Sequence, residues 1–141
     1  MKAKKYLNQI RWLTIEIESR KEELKKIREE VYGITSAKDG PRVDGSENSS
    51  KTEAAAIKLQ EATARLVNTI AEREKVRVEI EETINRVEEP AERSLLLLKY
   101  RELLTWDEIA ERIHYTARTA QRIHGRALQS IERILANKEQ E

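Results

Sequence analysis

Apolar residues recur through the start of the chain at alternating steps of four and three: Tyr6, Ile10, Leu13, Ile17, Leu24, Ile27 and Val31. This is a heptad seam, and it predicts a coiled-coil helix over about residues 3–32, with Arg20 at the one charged seam position. Trp12 and Ile15 lie off the seam, where they would widen the contact surface. A second series, Leu59, Ala62, Leu66, Ile70, Val76, Ile80, Ile84 and Val87, predicts another helix over about 51–89, with Arg73 as its charged exception. Antiparallel pairing of the two sets Val31 near Leu59, Leu24 near Leu66 and Ile10 near Ile80. Both seam arginines are expected to lay their stems on apolar surface and keep their charges at the edge, in water.

Between these helices the periodicity stops. Residues 33–51 hold three of the four glycines and one of the two prolines, and Gly33 directly follows the last periodic positions. Gly33 is therefore the expected end of the first helix, and the connection is expected to be flexible. Helices of some 30 to 38 residues would be roughly 45–57 Å long at 1.5 Å per residue. Such a thin pair buries little apolar surface by itself. A homodimer or higher homo-oligomer through the hairpin follows as an expectation.

Pro90 ends the second helix and suits the first turn of the next, expected over about 91–104. Thr105-Trp-Asp-Glu108 has the form of a capping box that opens a helix of two turns, about 106–113. His114-Tyr115 forms a turn, and Thr116 caps a final helix over about 117–135. In that helix Ala120, Ile123, Ala127, Leu128 and Ile131 share one face. The fold class is thus all-α: a long antiparallel helical hairpin over 1–89, then a helix-turn-helix domain of three to four helices over 90–141.

Composition narrows the chemistry. Charged residues make up 38% of the 141, against about 25% for an average domain, which suits long helices with wide solvated faces. The net charge of +1 says nothing about partners, but its distribution does: between Ile113 and Ile131 lie Arg118, Arg122 and Arg126 and no carboxylate. There is no cysteine, so disulfides and thiolate sites are excluded. His114 and His124 lack a partner cluster, and no phosphate-cradling glycine loop is present. A non-enzyme without cofactor or metal is expected. The longest apolar run, Leu95–Leu98, is far too short to span a bilayer. A cytoplasmic protein that does not engage a membrane is the expectation.

The candidate site is the polar face of the last helix, with Thr116, Arg118, Thr119, Gln121, Arg122 and Arg126. Arg and Gln make paired hydrogen bonds to guanine and adenine edges in the major groove, and arginines elsewhere neutralise phosphates. A solvated helix face is the plain alternative. The preceding short helix, the tight turn and the two caps favour double-stranded DNA as the partner.

Leu95 to Leu135, with Leu-Lys-Tyr, Leu-Thr-Trp-Asp-Glu-Ile-Ala and Arg-Ile-His-Gly-Arg-Ala-Leu, resembles region 4 of bacterial sigma factors, which reads the promoter −35 element. With its Tyr-Leu-Asn-Gln-Ile-Arg-Trp-Leu opening and Pro-Arg-Val-Asp-Gly-Ser segment, the whole chain is similar to RinA- and ArpU-type regulators. These are phage and prophage proteins of Gram-positive bacteria associated with late-gene transcription. The resemblance implies base contacts by Arg118, Gln121 and Arg122, and a backbone contact by Arg126. Two positions depart from the pattern: Ala117 stands where arginine is common, and His114 replaces the usual turn glycine. His tolerates a left-handed backbone better than most residues, so the turn is expected to survive. The reading is a late-gene transcription activator. Its rivals are a small terminase subunit that recognises DNA for packaging, and an adaptor that binds host RNA polymerase.

Overall fold

The computed structural model describes residues 2–37 and 46–140, with side chains described for 2–30 and 50–140. Among these the fold is all-α: α1 (Lys2–Ala37), α2 (Ser46–Asn85), α3 (Pro90–Leu96), a π-helical turn (Leu97–Arg101), α4 (Trp106–Ile113) and α5 (Ala117–Glu139). α1 and α2 form the expected hairpin. No helix among the described residues is long and apolar enough to cross a membrane.

Three boundaries differ from the sequence pattern. α1 runs through Gly33 to Ala37, because one glycine costs a helix only about 1 kcal/mol and no proline follows until Pro41. α2 begins at Ser46, ahead of its first seam residue, and ends at Asn85. Residues 38–45, the middle of the expected flexible connection, lie outside the described residues. The third helix stops being α-helical at Leu96 and passes into the π turn, where the Glu102 N–H donates to the Leu97 carbonyl at 3.0 Å. Leu103 then takes a left-handed backbone, φ 59°, so the chain has left the helix before Leu104. α5 continues four residues beyond the expected end, to Glu139.

The chain divides into two compact units. The hairpin unit is Glu16–Glu74. Here Ile17, Leu24 and Leu66 are buried, which makes a thin seam. The two seam arginines do lie at its edge, and they share one carboxylate. Glu16 accepts from Arg20 Nε at 3.0 Å and from Arg73 Nε at 3.1 Å, and Lys21 pairs with Glu74 at 3.3 Å. The Arg20 hydrogen bond first, and that of Arg73 second, hold the Glu16 carboxyl below its usual range.

The head unit is Met1–Ile15 with Lys75–Glu141. Its larger core joins Ala3, Leu7 and Ile10 of α1 to Ile80 and Ile84 of α2, to Val87, to Leu96 and Tyr100, and to Ala127, Leu128 and Ile131 of α5. Ile10 and Ile80 share this core, as the antiparallel register requires. Tyr6 Oη and Thr83 Oγ1 meet at 2.9 Å between the two helices. Leu7 and Ala3 are buried one step off the expected seam, because α3 and α5 also cover this end of α1. Trp12 and Ile15 are exposed. A smaller core of Leu95, Ile109, Ala120 and Ile123, flanked by Leu98, Leu104, Trp106 and Ile113, packs α3, α4 and α5 together.

Candidate nucleic-acid interface

α4 and α5 are fixed at their starts by side chains. Thr105 Oγ1 accepts from the Glu108 N–H at 3.2 Å, and the Glu108 carboxylate accepts from the Thr105 N–H at 3.2 Å, which completes the capping box. Those bonds keep the Glu108 carboxyl below its usual range, the backbone donor contributing most. α4 ends at His114 with φ 61° and ψ 39°, the left-handed conformation that glycine would adopt most easily. The N–H groups of His114 and Tyr115 both donate to the Ala110 carbonyl, which closes the turn. Thr116 then caps α5, its Oγ1 accepting from the Thr119 N–H at 3.1 Å.

This turn sets the direction of α5, and the core sets its rotation. Ala120, Ile123, Ala127, Leu128 and Ile131 are all buried, as the spacing predicts. Arg118, Gln121, Arg122 and Arg126 consequently stand exposed on the opposite side, with Thr116 exposed at the cap and Thr119 half-buried beside it. The structure brings these six side chains to one continuous surface. Among the described residues, the side chains of Arg118, Gln121, Arg122 and Arg126 have no ion-pair or hydrogen-bond partner. Three guanidiniums and an amide are therefore offered to solvent without local neutralisation. Gln129 and Arg133 extend the same face, and Arg133 Nη2 reaches Ser130 Oγ at 3.0 Å. α4 has the opposite sign, with Asp107, Glu108 and Glu111 exposed. A polyanion beside this pair of helices is repelled by α4 and attracted by α5.

Behind the face lies a polar pair that periodicity did not single out. His124 is 9% exposed, and its Nε2 meets the Tyr100 hydroxyl at 2.7 Å. The Trp106 ring packs edge-on to the imidazole at 5.0 Å, and Lys99 Nζ sits 4.5 Å above that indole. Burial, then the charges of Lys4 and Lys99, push the imidazole down to about 4, so the ring is neutral at physiological pH. Burial likewise pushes the Tyr100 phenol up to about 12. One signal in the sequence could have found this pair: His124 lies four residues after Ala120 and three before Ala127, on the apolar face. Its partner Tyr100 could not have been found, because it lies across the fold in the π turn. Trp106 takes the expected place between the two short helices.

The class defined by this geometry is an all-α protein with a capped helix-turn-helix that presents an unpaired basic face. Comparison of the chain with family models, with curated proteins and with solved structures finds no match for it.

Proposed function

We propose that this chain is a sequence-specific regulator of transcription that binds double-stranded DNA, a non-enzyme acting in the bacterial cytoplasm on phage or prophage late genes. α5 enters the major groove from its capped end. Arg118, Gln121 and Arg122 face base edges, while Thr116, Thr119 and Arg126 lie toward phosphates. One observation carries this reading: three arginines and a glutamine stand together on one exposed helix face without any neutralising partner, held there by a buried opposite face and a capped start. An ordinary solvated face on such a charge-rich chain would carry carboxylates among its cations. The chain works as a homodimer or higher homo-oligomer, so that two helices read half-sites about 34 Å or a multiple apart.

Selection of fragments bound from phage genomic DNA, followed by affinity measurement across salt concentrations, tests this reading. Arg122→Ala should cost about 1–3 kcal/mol at one base pair and relax preference there, while Arg126→Ala should weaken all sequences alike and lower the salt slope by about 1. Unchanged binding of the best site by the Arg122 variant would sink the assignment. Retention of host RNA polymerase with no salt-dependent DNA binding would replace the regulator by an adaptor.

A further inference from the structure

α2 carries a second apolar stripe that α1 does not cover. In the hairpin unit it consists of Ile57, Ala64, Val67 and Ala71, spaced by seven, three and four residues, with Gln60 as its polar member. All of them are exposed; Ile57 is 54% and Val67 42% accessible. This spacing is the heptad repeat of a helix with a second coiled-coil neighbour, and the alanines leave room for a close approach. On the flank nearer α1, Leu24, Val67 and Ile70 line an open groove of about 760 Å³, edged by Lys21, Lys25 and Arg28. On the other flank, by helical spacing, stand the exposed Glu61 and Glu72. Lys25, Arg28, Glu61 and Glu72 have no ion-pair partner among the described residues. The stripe therefore has unpaired cations along one side and unpaired anions along the other.

We propose that the occupant of this stripe is a second copy of the chain, packed with the two α2 helices parallel and in register about a two-fold axis. A two-fold axis along the helices brings the anionic flank of each copy against the cationic flank of the other. The register supports the pairing at a particular residue. Glu16 is joined to Arg73, and twelve residues further along each helix Arg28 is level with Glu61. In the parallel dimer the partner's Glu61 comes to that same level on the groove side, beside Arg28. Antiparallel α2 helices would instead set the two cationic flanks together. The parallel arrangement satisfies the charges and covers the apolar row. The inference deepens the oligomer part of the proposed function by naming its surface, and it does not depend on DNA.

The chain has no cysteine, so single cysteines give an unambiguous readout. Ala64→Cys and Ala71→Cys, each alone, should form disulfide-linked dimers on mild oxidation, since each position faces itself in the parallel dimer. Crosslinking only in a mixture of the two variants would overturn the orientation. By light scattering the native chain should have twice its 16.4 kDa mass, and Val67→Glu should return it to the single mass. Val67 is exposed in the single chain, so helical content should be retained; if it is lost, the cysteine pairs decide. Arg28→Glu and Glu61→Arg should each raise the dimer dissociation constant about tenfold, and combining them should restore it. A monomer at every concentration, or a ring of eight or more chains that Val67→Glu leaves intact, overturns the proposal. No arm contains DNA, so failure here is distinct from failure of the groove-reading assignment.

Discussion

In the head unit, Leu95, Ile109, Ala120 and Ile131 are sealed from solvent and both short-helix starts are capped by threonines. In the hairpin unit, three buried aliphatic residues form the seam, and half-exposed ion pairs around Glu16 and Glu74 complete it. Both are helical and both are rich in charge, yet one is held by packing and the other leans on electrostatics. The lesson is that helix content alone does not measure how firmly a segment is held. A surface that must keep six side chains in fixed positions needs the packed version, whereas a thin seam leaves apolar surface open to a neighbour.

Ile109→Ala breaks the comparison hardest. It empties a fully buried site in the smaller core and should cost about 2–5 kcal/mol in a denaturant titration of the head. A loss under 1 kcal/mol would mean that α4 is no better packed than the hairpin.

Tyr100→Phe comes next. It strands His124 Nε2 without a partner in a buried site, a cost of about 1–3 kcal/mol. The same residue separates the units along the pH axis. The folded ring titrates near 4 and the unfolded one near 6.5, so the unfolded chain takes up the proton first. That part of the head's stability is complete above pH 6.5 and is lost as pH falls toward 4. The carboxyl of Glu16 is held below 4.5, so its contribution is complete above 4.5 and fails only as pH drops through the lowered value. Urea melts at a series of pH values should therefore soften the head before the hairpin. The opposite order would refute the assignment of His124 as the controlling group.

Thr116→Ala removes the cap of α5 and should cost about 1 kcal/mol, read as a fall in melting temperature and as fraying of the first turn in hydrogen exchange. The smallest effect is expected from Glu16→Gln. It should loosen the hairpin unit slightly at low salt and have no effect at high salt, where exposed pairs are screened. A penalty that survives 1 M salt would show that this carboxylate does more than pair charges.

How far each feature could be read in advance follows from the range of the interaction behind it. The capping box at Thr105, the left-handed turn at His114 and the inward face from Ala120 to Ile131 depend on neighbours within a turn or two of helix, so the sequence displays them directly. The register of the hairpin was also legible, because two seams of similar period can pair in few ways. The π turn was not: the apolar spacing from Leu95 to Leu98 suits an ordinary helix, and the departure arises where Tyr100 meets a residue 24 positions away. The burial of Leu7 and Ala3 was hidden for the same reason, since their cover comes from α3 and α5. Of the site, the six residues of the exposed face were visible as a pattern of charge, while the Tyr100–His124 support behind them required the fold.

The π turn at Leu97–Arg101 also has a genetic meaning. A π turn holds one more residue than the α turn it interrupts, so it has the form of a one-codon insertion absorbed without breaking the helix. Removing one residue from this stretch would let α3 continue regularly and would swing everything after it by about 100° around the helix axis. Tyr100 would leave His124, and the basic face would point elsewhere. In-frame deletions here should therefore be far less tolerated than substitutions. In a library of single-residue deletions, Leu97–Arg101 is where survivors should be scarcest.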